Sequence, residues 1–249
     1  FVPCTGRPLS GIFAPILEHP AVHYAVCANG ASVYRLDDDE PARAELAERV
    51  LLRPLDRAVA HRVHRIAAGH DVTFDIFADG RCFLPRPLYA RLDEFCGGDP
   101  HITASLKRTR EPIDEDIDSK IDEVEVLERI AMYWHDPADR DAIVAALRGV
   151  DGIELTRSYT MNIEVMGAGA TKGTALTWLC GHAGEVVADA WAFGDNINDI
   201  PMIETAGHGC AMKNAEPEDR DAADLITEFD NDHDGVARTV MEALTDAVR

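Results

Sequence analysis

The region after Lys172 constrains the fold most strongly, because short apolar runs alternate there with helical segments. The sequence predicts, in chain order, a helix over 173–181, a strand over 190–193, a helix over 200–206, a strand over 209–212, a helix over 216–223 and a closing helix from residue 236. Such an alternation is typical of a parallel sheet that is covered by helices on both faces. We therefore predict an α/β fold.

The residues before this region follow a different pattern, with strands that return on themselves. The middle of the chain predicts a helix over 55–68, a hairpin of strands 72–77 and 81–84 around Asp79-Gly80, a strand over 127–134, a helix over 136–147, and strands over 153–159 and 161–166. Ahead of it, Leu9 to Ile16 has helical spacing, residues 24–28 form an apolar run and Asn29-Gly30 predicts a tight turn. The middle is therefore mixed α+β with antiparallel pairing, and a boundary falls near residue 53.

The charge of the chain restricts its partners. Lys and Arg number 24 against 45 Asp and Glu, which gives a net charge of −21. A field of this sign repels nucleic acid and anionic lipid, so neither is an expected partner. Any phosphate site needs a metal ion or a cluster of Lys and Arg to reverse the sign locally. We expect the acidic runs 37–40 and 111–125 to be solvated faces.

The cysteines and the hydropathy pattern point to one compartment. The six cysteines show no CxxC pair and lie partly inside apolar runs, which is typical of buried free thiols in a reducing environment. No apolar run reaches the roughly eighteen residues of a membrane span, and no secretory pattern opens the chain. A cytoplasmic location is therefore expected, whereas the sequence does not define the oligomeric state.

An acidic loop follows the predicted strand 190–193. It contains Asp195, Asn198 and Asp199, and such strand ends hold ligands in open α/β sheets. Carboxylate and amide oxygens are hard ligands that suit Mg²⁺ better than zinc or copper. In the alternative reading Asp195 only satisfies the loop and Asp199 caps the following helix.

Two further segments carry groups that could bind phosphate. Thr5-Gly6-Arg7 offers a hydroxyl, a close-approach glycine and a planar cation after an apolar strand, although an ordinary turn has the same composition. Lys172 precedes an amphipathic helix, where a surface lysine is the common alternative. All three segments fall at or beside the carboxyl ends of strands, which favours one shared site over three unrelated features.

At this point the chain resembles a known family. TGRP begins at Thr5, NGA at Asn29, TKGTAL at Thr171, GDNIND at Gly194, AMKNA at Ala211 and NDHDGVA at Asn231. In order and spacing these motifs resemble Cof-like phosphatases of the haloacid dehalogenase superfamily. The resemblance implies a Rossmann-like core with a parallel sheet, formed by residues 1–52 and 167–249 and interrupted by an α+β cap over 53–166.

The resemblance also implies roles for individual residues. Thr5 would hydrogen-bond the transferred phosphoryl group, with Gly6 and Arg7 shaping that turn and the substrate entrance, and Lys172 would neutralise phosphate and nucleophile charge. Asp195 would coordinate Mg²⁺, and Asp199 would hold the metal's water shell or orient Lys172. Asn198 would contact substrate or phosphate. The expected substrate is a small phosphorylated metabolite of the sugar phosphate, flavin mononucleotide or pyridoxal phosphate type.

One family motif does not occur in these 249 residues: the DxDGT stretch with the nucleophilic and acid/base aspartates. Phe74 to Gly80 contains two aspartates, but their spacing differs and they lie in the predicted hairpin. We expect the nucleophile to lie upstream of Phe1 and this polypeptide alone to be inactive. The alternative is a relic that binds a metabolite or a partner without catalysis. A dinucleotide-binding protein is disfavoured, since no GxGxxG follows a strand.

Overall fold

The computed structural model of the protein describes residues 1–36 and 46–247. The chain divides into two compact units, Phe1–Ala170 and Thr171–Arg249. Among the described residues, no helix combines the length and the apolar composition that crossing a membrane requires. The acidic run 37–40 lies outside the described residues.

The first unit contains two sheets and most of the helices. Its strands are β1 Tyr24–Cys27, β2 Ser32–Arg35, β3 Glu48–Leu52, β4 Asp75–Ala78, β5 Arg81–Pro85, β6 Glu111–Ile113, β7 Leu127–Tyr133, β8 Ile153–Thr156 and β9 Asn162–Gly167. Its helices are α1 Ala14–Leu17, α2 Arg57–Ala67, α3 Arg86–Ala90, α4 Leu92–Phe95, α5 Pro100–Thr109, α6 Ile117–Glu123 and α7 Pro137–Leu147. The smaller sheet has the order β1-β2-β3 and the larger one β6-β5-β4-β7-β9-β8.

The larger sheet confirms the antiparallel α+β character predicted for the middle of the chain. Its neighbouring strands pair antiparallel, apart from the parallel pair β5 and β6. Strand β7 lies inside this sheet with all seven residues buried. Asp56 and Asp136 cap α2 and α7 through their side chains, which fixes where these helices begin.

The predicted hairpin is confirmed, with its first strand shortened. Asp79 and Gly80 have φ values of 52° and 73°, the left-handed geometry of a tight two-residue hairpin turn. The carboxylate of Asp79 accepts hydrogen bonds from the N–H groups of Glu125 and Val126, which anchors the turn to the start of β7. Regular pairing begins only at Asp75.

One expectation for the first unit needs correction, and two others are confirmed. The helical spacing from Leu9 to Ile16 yields two separate pieces, a 3-10 turn Leu9–Gly11 and α1, because Pro15 has no N–H with which to continue a helix from Gly11. The acidic stretch 111–125 is a solvated face as predicted: it forms β6 and α6, its Asp and Glu side chains are exposed apart from half-buried Glu111, and Ile121 of α6 is buried. Asn29-Gly30 forms the predicted turn.

The second unit confirms the predicted alternation. Strands β10 Trp191–Gly194, β11 His208–Ala211 and β12 Leu225–Ile226 pair parallel in this order. Its helices are α8 Lys172–Ala183, α9 Ile200–Thr205, α10 Pro217–Ala222 and α11 Gly235–Ala247. The α/β fold class is thereby confirmed, whereas the assignment of 1–52 and 167–249 to one interrupted core stays a prediction. The six cysteines are free, and all but Cys4 are buried.

Candidate functional site

The acidic loop of the second unit folds back on itself directly after β10. A Cβ atom added to Gly194 would lie 2.3 Å from Cβ of Asp199, so only glycine permits this close approach. The carboxylate Oδ2 of Asp199 accepts hydrogen bonds from the N–H groups of Asp195 and Asn196, at 3.1 and 3.2 Å. Asp199 therefore fixes the loop from inside.

The alternative in which Asp199 caps the following helix is wrong. Asp199 occupies the N-cap position of α9 but makes no side-chain hydrogen bond to that helix. Its side chain instead completes a capping box with Asn196 around the 3-10 turn Ile197–Asp199. This arrangement leaves the second carboxylate oxygen for a partner outside the loop.

That partner is Lys172. Its Nζ donates to Oδ1 of Asp199 at 2.5 Å, and both residues are buried, with exposures of 4% and 5%. Thr171 caps α8 and defines where Lys172 begins the helix. A Cβ atom on Gly173 would lie 2.1 Å from the carbonyl oxygen of Pro201, so α8 and α9 approach backbone to backbone. This close packing brings the lysine to the loop.

The charge balance around the loop is negative. Burial, followed by the charge of Asp199, raises the pKa of Asp195. Asp219 of α10 is fully buried, and neither of its carboxylate oxygens has a hydrogen-bond partner among the described residues. Burial raises the pKa of Asp219 to about 7, with further contributions from Asp199 and Asp195. Three interacting carboxylates and one lysine form an environment that a cation would stabilise.

Asp219 was missed by sequence reasoning. It lies in Glu216-Pro217-Glu218-Asp219-Arg220-Asp221, a run whose composition is typical of an exposed helix. This side chain is turned inward by the packing of α10 against α9, β11 and the 3-10 turn Ile197–Asp199.

The structure brings four of the predicted residues together in the second unit: Lys172, Asp195, Asn198 and Asp199. Asn198 is buried beside Asp199 in the 3-10 turn. Within the described residues, no group of three or more His, Cys, Asp and Glu side chains is arranged to hold a metal ion. Two observations therefore support a cation at this loop. The charged side chains around it are predominantly negative, and the carboxylate of Asp195 supplies hard oxygen atoms.

The other three predicted residues form a turn in the first unit. Oγ1 of Thr5 accepts a hydrogen bond from the N–H of Arg7 at 3.1 Å, and the backbone of Thr5 is bonded to Val26 and Asn29. A Cβ atom on Gly6 would lie 2.9 Å from Oδ1 of Asn29, which explains the glycine. The guanidinium of Arg7 donates to the carbonyl of Gly11 at 3.4 Å.

Buried charges from the larger sheet support this turn, and the sequence did not indicate them. Arg129 of β7 donates to the carbonyl of Gly6 at 2.5 Å and pairs with Glu164 of β9 at 2.6 Å. Glu164 also accepts from Nδ2 of Asn29 at 2.6 Å. Burial opposes ionisation of Glu164, but Arg129 and Asn29 outweigh it and lower its pKa. The turn is thus fixed by an ionised, buried network.

Comparison with known proteins identifies the family. The model of the haloacid dehalogenase-like hydrolases matches residues 1–240. The phosphatase YcsE of Bacillus subtilis, named for 5-amino-6-(5-phospho-D-ribitylamino)uracil, is 39% identical over 101 residues, which are 41% of this chain and only 40% of that relative. YwtE of the same organism, a phosphatase named for the same compound, is 26% identical across 97% of this chain and 85% of its own length.

A solved structure extends the similarity to the fold. A haloacid dehalogenase-like hydrolase from Bacillus subtilis superposes with a TM-score of 0.76 at 23% identity, covering 95% of this chain and 85% of that one. The family model, the relatives and the fold agree with the resemblance carried by the six motifs. The chain belongs to the haloacid dehalogenase-like hydrolases.

Proposed function

We propose that the protein is a Mg²⁺-dependent phosphatase that hydrolyses the phosphomonoester of a small phosphorylated metabolite. The observation that carries this proposal is the buried Lys172–Asp199 pair, hydrogen-bonded to the backbone of the loop that presents Asp195. The phosphatase named for 5-amino-6-(5-phospho-D-ribitylamino)uracil supports the substrate class. Free, mostly buried thiols support a cytoplasmic location.

Each predicted residue of the second unit has a separate role in binding the metal or the phosphate. Lys172 offsets the negative charge of the phosphoryl oxygens and of the attacking carboxylate. Both oxygens of Asp199 are engaged, so Asp199 acts by orienting Lys172 and holding the loop, and it would contact a bound metal only through water. Asp195 would hold Mg²⁺, which when bound would polarise the phosphoryl group. Asn198 contacts the substrate or its phosphate.

The first unit contributes the hydroxyl of Thr5, which hydrogen-bonds the transferred phosphoryl group. Gly6 and Arg7 shape this turn and the substrate entrance, and the network of Arg129 and Glu164 keeps the turn in place. Residues 53–166 act as the cap that selects the substrate. Because the protein has a net charge of −21, a phosphate group can bind only where positive charges lie nearby, and Lys172, Arg7 and the metal would provide them.

The chemistry requires a nucleophile that these 249 residues do not contain in a DxDGT motif. We assign it to an aspartate encoded upstream. Its carboxylate attacks phosphorus while the second aspartate of that motif protonates the leaving alcohol, which gives an aspartyl-phosphate. The second aspartate, now ionised, then takes a proton from water, which attacks the aspartyl-phosphate and releases phosphate. In-frame sequence shortly before Phe1 is the first check of this assignment.

Phosphate release from p-nitrophenyl phosphate with Mg²⁺ tests the proposal on two polypeptides, this chain and the gene product extended upstream. We expect turnover by the extended protein and none by this chain alone. Rapid turnover by the short form would contradict the upstream nucleophile. An extended protein that contains DxDGT and still shows no turnover would contradict the phosphatase assignment. Absence of the motif upstream would favour a metabolite-binding relic.

A further inference from the structure

Four arginines of the first unit gather around the turn Thr5–Arg7. Arg7 belongs to the turn itself, and Arg129 of β7 donates to the carbonyl of Gly6. Arg108 and Arg110 lie at the end of α5, which packs against the neighbouring 3-10 turn Leu9–Gly11. The turn Thr5–Arg7, strand β7 and the end of α5 are distant in sequence, yet their arginines lie in the same region of the first unit.

Two of these arginines are structural. Arg110 and Arg129 lie over the same buried ring of Phe77, with Cζ 5.3 and 3.7 Å from its centroid. Arg110 pairs with Asp75 at 2.8 Å, and Arg129 pairs with Glu164 at 2.6 Å. Each buried guanidinium therefore has its own carboxylate, as burial of a charge requires.

The other two arginines differ. Arg7 and Arg108 are exposed residues, and within residues 1–36 and 46–247 no carboxylate lies within ion-pair distance of either. Partial burial of the guanidinium and then the positive charges of Arg108 and Arg110 lower the pKa of Arg7. The cluster thus carries positive charge that the described part of the chain does not offset.

A missing carboxylate partner is not by itself unusual in the unit, since Arg62, Arg65 and Arg148 are also exposed and have none among the described residues. The exposed arginines Arg81, Arg86 and Arg91 each pair with a carboxylate, namely Glu111, Asp114 and Asp71. In a chain with 45 acidic residues against 24 basic ones, carboxylates are abundant. Arg7 and Arg108 differ from the other arginines without a carboxylate partner because they lie close enough to each other for their positive charges to interact, and Arg7 interacts with Arg110 in the same way. Clustered guanidiniums of which two have no acidic partner in the described part of the chain indicate a place for an external anion.

We propose that Arg7 and Arg108 bind a second anionic group of the substrate, a phosphate or a carboxylate separate from the phosphoryl group that is transferred. This inference rests on the proposed phosphatase function, in which Thr5, Lys172 and the metal already serve the transferred group. The planar forks of two arginines suit a tetrahedral or planar oxyanion. The preferred substrate is then a doubly anionic phosphorylated metabolite.

The test compares substrates that differ in the second anion. With the extended gene product, kcat/KM is measured for fructose 1,6-bisphosphate against fructose 6-phosphate, and for 3-phosphoglycerate against glycerol 3-phosphate. The first pair probes a second phosphate and the second pair a carboxylate. We expect at least one doubly anionic substrate to be preferred by about tenfold or more, since charge-assisted hydrogen bonds have this strength.

Variants assign the preference to the cluster. Arg108→Gln should reduce the ratio of the two kcat/KM values to near one, and Arg108→Lys should restore part of it. Lys107→Gln is the matched control, because it removes a neighbouring exposed charge on the same helix. A ratio near one in the native protein, or a preference that survives Arg108→Gln, would overturn the inference while p-nitrophenyl phosphate turnover stands.

The anion-binding inference can also be tested if the phosphatase proposal fails. If the extended protein turns over no phosphomonoester, the phosphatase proposal fails. Calorimetric titration of fructose 1,6-bisphosphate and fructose 6-phosphate then decides the binding inference by itself. Tighter binding of the bisphosphate that is lost in Arg108→Gln would uphold the site, and equal binding would remove it.

Discussion

At the scale of single residues, the Lys172–Asp199 pair combines a structural and an electrostatic task. Asp199 connects the lysine to the backbone of the loop, so the ammonium group is fixed before any substrate binds. Such preorganisation is what makes a charge effective in a transition state, because no reorientation is then required. The same burial makes the pair vulnerable to the loss of either partner.

We expect Lys172→Met to lower the free energy of unfolding by about 3–5 kcal/mol, because it leaves the carboxylate of Asp199 buried without its cation. Thermal and denaturant unfolding measure the effect. Lys213→Met, at an exposed lysine of the same unit, is the control and should change little. If Lys172→Met combined with Asp199→Asn loses as much as the sum of the two single variants, the two residues are not coupled.

Asp219 makes stability depend on pH. A carboxyl with a raised pKa in the folded protein binds its proton more tightly there than in the unfolded chain. Its contribution therefore favours folding at low pH and is lost as the pH rises through the folded pKa of about 7. We expect the metal-free protein, in EDTA, to lose a few kcal/mol between pH ~4 and ~7 through this group.

The measurement is denaturant unfolding of Asp219→Asn across this pH range. The variant should be more stable than the native protein above pH ~7 and should show a shallower decline. Asp221→Asn, which removes an exposed carboxylate of the same helix, should keep the native slope. Equal slopes for all three proteins would show that Asp219 is not the responsible group.

At the scale of secondary structure elements, the contact between α8 and α9 sets the position of Lys172. We expect Gly173→Ala to destabilise the protein by about 1–3 kcal/mol, because the added Cβ meets the Pro201 carbonyl at 2.1 Å and the helices must separate. The extended protein should also lose phosphatase activity, because Lys172 shifts with the helix. Unfolding curves and kcat/KM report the two effects.

Gly181→Ala is the matched control in the same helix. Apart from its chain neighbours and the helix's own backbone, no atom of the described residues lies within 4 Å of its added Cβ, so alanine should stabilise α8 by about 0.5–1 kcal/mol. A stability change of opposite sign for Gly173→Ala and Gly181→Ala would show that the backbone contact at Gly173 causes the destabilisation. A neutral Gly173→Ala would show that α8 and α9 tolerate separation.

The elements also show what sequence reasoning can reach. The alternation after Lys172 predicted β10, β11, α8 and α9 to within a few residues, since strands buried in a parallel sheet read as apolar runs. The acidic loop was predicted for the same reason, because it follows such a strand. The local sequence pattern therefore predicts an element correctly where its buried positions are apolar.

The local sequence pattern does not predict the burial of a charged residue whose partner is distant in sequence. Arg129 and Glu164 lie in strands of the larger sheet, and their pairing depends on the register of β7 against β9, which no local pattern specifies. Arg110 likewise needs Asp75, 35 positions away. In sequence these charges resemble the exposed residues of amphipathic strands. The parts missed are therefore buried charged residues, among them the pair Arg129–Glu164 that supports the Thr5–Arg7 turn.

At the scale of the whole molecule, the net charge of −21 opposes the compact state. The Debye length is about 30 Å at 0.01 M salt and about 8 Å at 0.15 M, so physiological salt screens repulsion between carboxylates across the surface. The exposed ion pairs, such as Arg86–Asp114, also weaken with salt, but each contributes only about 0–1 kcal/mol.

Repulsion should therefore dominate the salt response. We expect NaCl between ~0.02 and ~0.2 M to stabilise the protein at pH 7.5 by about 1 kcal/mol, which raises Tm by about 2–4 °C in a protein of this size. The same titration near pH 4.7, the isoelectric point of the sequence, is the control, because the net charge vanishes there and the stabilisation should vanish with it. A fall of Tm with salt at pH 7.5 would mean that ion pairs such as Arg81–Glu111 outweigh the repulsion.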